Sequence, residues 1–531
     1  MADATTAGAG GAAVPVDPAE ERIDPKRLLA FTFMVFGMFM SILDIQIVSA
    51  SLSEIQAGLS ASSEEISWIQ TAYLIAEVIA IPFSGYMSRA LGTRNLFAIS
   101  AAGFTVASLL CGLSQSIGQL IFWRAIQGFI GAGMIPTVFA SAYSAFPRSK
   151  FHIVGPVIGL VATLAPTIGP TVGGQLTDAL SWHWLFFINI VPGIVVTAAA
   201  LILIDFDQPE YGLLNRLDWW GLASMAGFLG SLEYVLEEGP RHEWFEDKSI
   251  VAFTIVMSVS AVVFFYRVFT VAEPIVDLRA FKDRNFALGC WFQFCAGIGL
   301  YGLTYLYPIF LAQVRGYNAL MIGNTLFVTG VTQFLFSPIL GQLLRRVDLR
   351  VLIFVGLMLF ALGTWQMTFI TRDFDFWELF VPQMLRAFGM MLAMVPANNI
   401  ALGTLPPHLI KNASGLFNLN RNLGGAVGLA VINTVLNQRI DFHIARLHEA
   451  VTWGNMTAVE TLNNLAQKFN GTADAQLKAL KQLTMIVHRQ AVVMSFGDVF
   501  WMLTVGYVFL GCLVFFVKKV DIMQQPQPGR R

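Results

Sequence analysis

Fourteen runs of mostly apolar residues dominate this chain of 531 residues. A helix needs roughly 20 apolar residues to cross the hydrocarbon core of a bilayer. The runs that meet this length cover residues 28–49, 66–87, 95–113, 117–140, 152–176, 183–204, 218–237, 249–272, 285–312, 319–343, 349–370, 376–402, 411–436 and 496–518. The pattern therefore predicts an all-α membrane protein with fourteen transmembrane helices.

The composition excludes the soluble alternatives. Apolar residues make up 56% of the chain and charged residues 13%, whereas soluble proteins carry about 45–50% and 25%. Charge this scarce cannot cover a water-exposed surface, and a net charge of −1 gives no reason to expect nucleic acid as a partner. The four cysteines lie in or beside apolar runs, which indicates core thiols instead of disulfides or a metal site. Because the chain carries no Walker loop, metal-binding histidine pattern or nucleophile elbow, we expect neither an enzyme nor a cofactor.

The distribution of basic residues predicts an orientation. Of the 33 lysines and arginines, 20 lie in the tails and in every second connection, against four in the short connections of the other side and six in the long segment 437–495. Basic residues favour cytoplasmic connections. Both termini are therefore predicted in the cytoplasm, with soluble tails at 1–27 and 519–531.

Two connections repeat one another. The loop after the second run is GYMSRALGTRN, from Gly85, and the loop after the tenth is GQLLRRVDLRV, from Gly341. Both place an arginine four and nine residues after the glycine, and two parallel halves with binding at their interface are typical of transporters. The predicted domains are an N-terminal six-helix bundle (28–204), a two-helix insert with flanking loops (205–284) and a C-terminal six-helix bundle (285–518) that includes an outer loop (437–495).

Four motifs carry a specific resemblance. The first run ends in LDIQIVSASL, the first repeated loop is GYMSRALGTRN, the fourth run contains RAIQGFIGAGMIP, and the fifth contains APTIGPTVGGQL followed by WHWLFFINIVPG. Together they resemble the 14-helix drug:H⁺ antiporters of the major facilitator superfamily, and most of all its EmrB-type multidrug exporters. The resemblance implies the superfamily fold, with two six-helix bundles and two extra central helices.

The resemblance also implies gating residues. The loop motif supplies Gly85, Arg89, Gly92 and Arg94. The GPxxGG element supplies a hinge and a seal against leak, for which tight helix packing is the alternative interpretation; its residues are Pro166, Gly169, Pro170, Gly173 and Gly174. Two prolines in one helix also favour a kink. The family's acidic loop residue is here Arg89, which argues against a gating ion pair that needs an acid at that position.

Charges inside the runs need an explanation, because a charge at the bilayer centre costs about 2.5–3.5 kcal/mol on insertion scales. Asp44 and Arg124 fall at similar depths in the outer half, and Glu77 falls near the midplane. For Asp44 and Arg124 the alternatives are a static ion pair that fixes packing and a proton site, and the resemblance supports the proton site. For Glu77 they are a neutral hydrogen-bonded acid and a second proton carrier.

Other polar residues are candidates for a substrate cavity, namely Gln46, Gln127, Glu233, Arg386 and Arg421. Gln46 and Ser49 stand where the family has threonine and asparagine. Glu233 lies near the outer end of the seventh run, where snorkelling to the interface is the more frequent placement. Arg386 and Arg421 lie near the midplane, and the sequence leaves open whether they complement negative charge in the cavity or cap packing between helices.

The predicted function is proton-coupled efflux of hydrophobic or amphipathic toxic compounds across the bacterial inner membrane. A dedicated exporter of one metabolite or fatty acid is the alternative. The resemblance implies a periplasmic adaptor of the EmrA type and an outer-membrane channel of the TolC type as partners, besides drugs and membrane lipid. The outer segment 437–495 is the predicted docking surface, with a plain solvated loop as the alternative, because loops this long without a role are uncommon.

Overall fold

The computed structural model describes residues 24–62, 65–147, 150–469 and 474–517, and within them the chain forms helices and turns without a β-strand. The predicted tails lie almost wholly outside the described residues. The helices of the first half are α1 (Pro25–Ala50), α2 (Leu52–Leu59), α3 (Trp68–Gly112), α4 (Ile117–Gly131), α5 (Met134–Ser144), α6 (Phe151–Ala179), α7 (Trp184–Phe187) and α8 (Ile190–Leu203). The insert forms α9 (Trp219–Glu238) and α10 (Lys248–Thr270).

The helices of the second half are α11 (Arg284–Phe310), α12 (Ala319–Arg346), α13 (Leu349–Gln366), α14 (Phe376–Gly403), α15 (Pro407–Ala450), α16 (Met456–Lys468) and α17 (Ala475–Leu513). Each of the fourteen predicted runs corresponds to a helix, a helix pair or one arm of a helix. Eleven helical segments of the described residues are long and apolar enough to cross a membrane. We call the side with Arg89, Arg94 and Arg350 the basic side, and the other the opposite side.

The second and third predicted runs are the two arms of α3. Gly92 interrupts this helix with φ 77° and ψ 158°, a conformation that side chains with a Cβ rarely adopt. Arg124 donates to the carbonyl of Ile69 in the first arm, and Cys111 in the second arm contacts Gln127. The arms are therefore antiparallel, and Gly92 forms the turn between them on the basic side.

The two helices of the insert differ in how they contact the rest of the protein. Helix α9 packs on α3 and α15, whereas α10 packs on α9 and buries only Ile250 and Phe264 of its own side chains. Arg267 of α10 donates to Asp218, the N-cap of α9, at 2.6 and 3.1 Å. This pair joins the basic-side ends of the two helices, so α9 is held against the bundles and α10 presents an apolar surface outward.

The segment predicted as an outer loop is largely helical, which corrects the predicted ends of the last two runs. Helix α15 continues to Ala450, α17 begins at Ala475, and α16 lies between them. Leu465, Ala479 and Leu483 form a small apolar core between α16 and α17. The apolar spacing of LKALKQLTMIV, which follows the helical period, lets α17 start 21 residues before the predicted run. We call residues 437–495 the helical extension.

Candidate transport site

A buried cluster surrounds Asp44 in the first half of the chain. Arg124 Nη1 donates to Asp44 Oδ2 at 2.5 Å, while Asn189 Nδ2 and Gln127 Nε2 donate to Asp44 Oδ1 at 2.7 and 3.2 Å. Asp44 and Arg124 are both fully buried. The predicted pairing of these two residues is thus present in the structure, with both carboxylate oxygens bonded.

Local backbone geometry brings the donors together. Asn189 lies in the two-residue break between α7 and α8, which turns its side chain toward α1. Gln127 stands one turn after Arg124 on α4, and its Oε1 accepts from Arg124 Nη1 at 2.7 Å. The sequence analysis did not single out Asn189, although it belongs to the quoted WHWLFFINIVPG motif.

Arg124 is not fully satisfied by this cluster. Its guanidinium lies 4.1 Å from the centre of the Tyr73 ring, and its Nε donates to the Ile69 carbonyl at 3.4 Å. Its Nη2 is buried without a hydrogen-bond partner among the described residues. A buried donor without a partner costs about 1–3 kcal/mol. The ion pair with Asp44 therefore contributes to stabilising the buried Arg124 guanidinium.

Glu77 connects the two halves electrostatically. Its side chain is buried on the first arm of α3, within electrostatic range of Arg421, Arg124 and Asp44. Arg421 belongs to α15 of the second half and is buried with Nε and Nη1 lacking partners among the described residues. Glu77 and Arg421 therefore lie within electrostatic range of each other across the interface between the halves.

A cavity of about 520 Å³ opens between the two halves on the opposite side. Its polar lining comes from both halves and from the insert; it includes Gln46, Ser49, Gln70, Glu237, Arg241, Tyr305 and Asn433. Apolar residues such as Leu74, Pro308 and Ile309 complete the wall. Because Gln46 and Gln70 are close neighbours in sequence of Asp44 and Ile69, the Asp44 cluster lies directly behind this wall.

Only one of the predicted cavity residues lines this cavity, namely Gln46. Gln127 belongs instead to the Asp44 cluster, where its Nε2 also donates to Ser108 at 2.7 Å. Glu233 is buried at 3% exposure, so snorkelling to the interface is wrong for this residue. One helical turn further along α9, Glu237 lines the cavity, a position for which the sequence analysis named no residue of this helix other than Glu233.

Arg386 lies against a separate narrow pocket within the second half. Its Nη2 donates to Thr329 at 2.8 Å, and its guanidinium lies 4.9 Å from the Tyr307 ring. Thr167 of α6 also lines this pocket, which therefore reaches the interface with the first half. These contacts favour packing between helices over a position in the main cavity.

The halves are closed against each other on the basic side. A Cβ on Gly85 would lie 3.1 Å from the Asn412 Cα and from the Lys411 carbonyl. Tyr143 of α5 donates to Asn399 of α14 at 2.9 Å. The cavity on one side and these contacts on the other are the geometry of a transporter open in one direction.

An ion pair crosses this closed interface. Lys411 at the start of α15 pairs with Asp207 and donates to the Ser88 carbonyl at 3.1 Å. Asp207 also accepts from the backbone and hydroxyl of Thr93, each at 3.0 Å. Asp207 thus provides an acid beside the loop that carries Arg89. Arg89 Nη1 itself lies 3.8 Å from Oε2 of Glu273, in the loop that follows α10.

The remaining predicted gating residues have different surroundings. Gly92 forms the α3 turn, and Arg94 is exposed beside it. The GPxxGG residues of α6 are buried in a continuous helix, and a Cβ on Gly173 would lie 2.8 Å from the Ile47 carbonyl. The element therefore packs α6 closely on α1; its role as a hinge or seal stays a prediction, as does the predicted kink.

The chain is similar to transport proteins of known family. A family model described as Major Facilitator Superfamily matches residues 34–429. The chain belongs to the major facilitator superfamily. The human organic anion transporter MFSD10 shares this fold, with a TM-score of 0.56 at 15% identity over 92% of this chain and 100% of that one. The predicted fold class is confirmed.

Three relatives within the superfamily are similar over nearly their whole length. The colistin resistance protein EmrB of Acinetobacter baumannii is 42% identical over 92% of this chain and 96% of its own. The multidrug export protein EmrB of Escherichia coli is 30% identical over 90% and 93%. The fatty acid resistance protein FarB of Neisseria gonorrhoeae is 28% identical over 92% and 96%. The predicted EmrB-type relationship is confirmed.

Proposed function

We propose that this protein is a proton-coupled multidrug efflux antiporter that exports hydrophobic or amphipathic toxic compounds by alternating access. The observation that carries the proposal is a cavity lined by both halves, with a buried acid–base cluster directly behind its wall. The names of the EmrB relatives support the substrate class.

The Asp44 cluster gives the proposal its coupling step. When Asp44 accepts a proton, its ionic bond to Arg124 is lost, and a buried arginine without a counter-charge is unfavourable. Protonation also weakens the hydrogen bonds that Asp44 accepts from Gln127 and Asn189. A shift of α4 and α8 relative to α1 then becomes more favourable. Proton binding thereby favours one arrangement of the first half, and substrate release accompanies the change. The protons are the coupling ion, and no other cofactor takes part.

We place the basic side in the cytoplasm, with the protein in the bacterial inner membrane and both termini on the cytoplasmic face. The bias of lysine and arginine toward this side supports the orientation. In this orientation the cavity opens to the periplasm, which is the side where a drug leaves and a proton enters. Helix α10, with its apolar outward surface, contacts lipid.

A dedicated exporter of one metabolite or fatty acid is the second candidate. The similarity to the fatty acid resistance protein FarB favours it specifically. The two candidates differ in the range of compounds moved, since a cavity that mixes amides, one acid and one arginine with apolar walls does not by itself select one ligand.

The range of substrates distinguishes them. Purified protein in liposomes with an internal pH-sensitive dye is given cationic dyes, hydrophobic antibiotics and long-chain fatty acids under an imposed proton gradient, and proton release is measured relative to protein-free liposomes. Proton release stimulated by several unrelated compounds supports the multidrug antiporter. Stimulation by fatty acids alone supports the dedicated exporter, and stimulation by none contradicts both.

The Asp207–Lys411 pair is expected to hold the basic side closed. Loss of a hydrogen bond to a charged group is worth about 1.5–3 kcal/mol, so D207N is expected to shift the population toward the basic-side-open state by about tenfold or more. Spin labels at the exposed positions Arg94 and Arg346, with Cys512 replaced by serine, report the distance between the halves by electron resonance.

Two controls accompany that measurement. Asp205 is exposed two residues away, and D205N is expected to leave the distances unchanged. D207E keeps a carboxylate that can pair with Lys411 and is expected to retain the closed distance. A D207N distribution identical to that of the unsubstituted protein contradicts the gating role.

The helical extension is proposed to dock a periplasmic adaptor of the EmrA type, which links the exporter to a TolC-type outer-membrane channel. Several apolar side chains of the extension are exposed: Trp453, Met456, Leu477, Leu480, Met485 and Ile486. Exposed apolar patches of this kind often mark protein interaction sites. Lys478 and Lys481 alternate with them at the start of α17.

The docking role predicts a difference between two assays. L477E/L480E is expected to leave proton-linked transport in liposomes unchanged and to lower drug resistance of cells by about tenfold, as for central residues of an interface. The matched control is E460Q, an exposed substitution on α16. Equal losses in liposomes and cells, or none in cells, contradict docking at this surface.

A further inference from the structure

We propose that the insert helix α9 carries protons: Glu237 at the cavity wall and Glu233 behind it form a path from the cavity to Glu77. This inference rests on the proposed proton-coupled function and extends it to the two-helix insert, a part of the chain outside both six-helix bundles. The proposed path consists of three carboxyl groups on two helices.

Glu233 is the unexplained group of this region. Its side chain is buried at 3% exposure, and its Oε2 has no hydrogen-bond partner among the described residues. The charged groups within its electrostatic range are Glu237 and Glu77, both acidic. A carboxylate without a counter-charge or donor is costly to bury, and such acids inside a membrane protein often serve proton relays.

The packing of α9 on α3 gives the relative depths of the three acids. A Cβ on Gly230 would lie 3.1 Å from Ile79 Cδ1 and 3.4 Å from Ile75 Cγ2, so Glu77 lies at the depth of Gly230. Glu233 is three residues from Gly230, about 4.5 Å along the axis at a rise of 1.5 Å per residue.

Two further contacts support this placement. Tyr301 of α11 is within electrostatic range of both Glu77 and Glu233, which puts the two acids near one side chain. Glu237 is one turn beyond Glu233 on the same face of α9 and lines the cavity beside Arg241. The order from the cavity inward is therefore Glu237, Glu233 and Glu77.

The only bonds that form and break along the path are the O–H bonds of the three carboxyl groups. A proton from the aqueous cavity binds the Glu237 carboxylate and passes to the Glu233 carboxylate and then to the Glu77 carboxylate, and each donor becomes a carboxylate again as it gives the proton up. Glu77 releases the proton toward the basic side once the halves open there. Glu77 lies within electrostatic range of Arg421, Arg124 and Asp44, so its protonation changes the electrostatic energy of the Asp44 cluster.

The test separates proton movement from substrate handling. Protein in liposomes is assayed for proton-gradient-driven transport of ethidium, for exchange of labelled against unlabelled ethidium at equal pH, and for ethidium binding by fluorescence. E233Q is expected to slow the driven transport by about tenfold or more, the lower part of the range for a positioned acid or base. Exchange and binding are expected to stay within about twofold of the unsubstituted protein.

Control variants fix the interpretation. Glu238 is buried on the same helix but bonded by Thr71, and E238Q is expected to leave the ratio of driven transport to exchange unchanged. E233D keeps a group that binds protons and is expected to retain coupling, which also serves if E233Q does not fold. Equal loss of exchange and driven transport in E233Q, or loss of neither, overturns the proposal. Absence of proton movement in the unsubstituted protein would instead overturn the proposed function itself.

Discussion

D44N is expected to abolish proton-driven export, with a loss of about a hundredfold or more, because it removes the group that exchanges the proton. Asparagine is close in size to aspartate and retains an oxygen that accepts from Arg124 or Asn189, so the fold of α1 has no steric reason to change. The measurement is the initial rate of ethidium transport into inverted vesicles under an imposed proton gradient.

The buried Arg124 requires a control for stability. Breaking a buried ion pair on one side costs about 3–5 kcal/mol, so a loss of activity in D44N alone has two explanations. The double variant D44N/R124Q removes both charges and is expected to regain thermal stability without regaining transport. Recovery of transport in the double variant would show that Asp44 has only a packing role.

E77Q is expected to lower driven export by about tenfold to a hundredfold, since Glu77 is the buried acid opposite Arg421. The expected loss combines one proton-exchanging group with an unpaired arginine at the interface of the halves. R421Q removes a cation within electrostatic range of Glu77 and is expected to alter the pH at which export is half-maximal. The measurement is the rate of driven export as a function of pH.

A different pattern would assign Glu77 to packing. The double variant E77Q/R421Q restores charge balance, and the account expects it to fold without driven transport. If E77Q exports at the unsubstituted rate at every pH, Glu77 is the neutral hydrogen-bonded acid that the sequence left as the alternative.

Most of the fold could be predicted from the sequence because a bilayer restricts the structures that can cross it. Because a helix needs about 20 apolar residues to cross a bilayer, counting apolar runs predicts where the long helices between α1 and α17 lie. The repeated Gly-Arg loops then predict the two halves. The polar helical extension escaped this count, since its helices are stabilised by a small apolar core around Leu465 and not by lipid.

The site was predictable where depth and motif agree. Asp44 and Arg124 fall at one depth and lie in recognised motifs, and the structure brings them to 2.5 Å. Contacts between distant segments outside those motifs were not predictable, because no local pattern specifies them. The pairing of Asp207 with Lys411 joins residues 204 positions apart, and the choice of Glu237 over Glu233 at the cavity wall depends on how α9 rotates against α3.

The most direct test of the central claim is proton flux driven by the drug alone. Liposomes loaded with ethidium and a pH-sensitive dye, with equal pH on both sides and membrane potential clamped, are diluted into drug-free buffer. The account predicts that ethidium efflux drives protons inward, acidifying the lumen, and that D44N liposomes show no pH change. Ethidium efflux at the unsubstituted rate with no change of internal pH would contradict proton-coupled antiport.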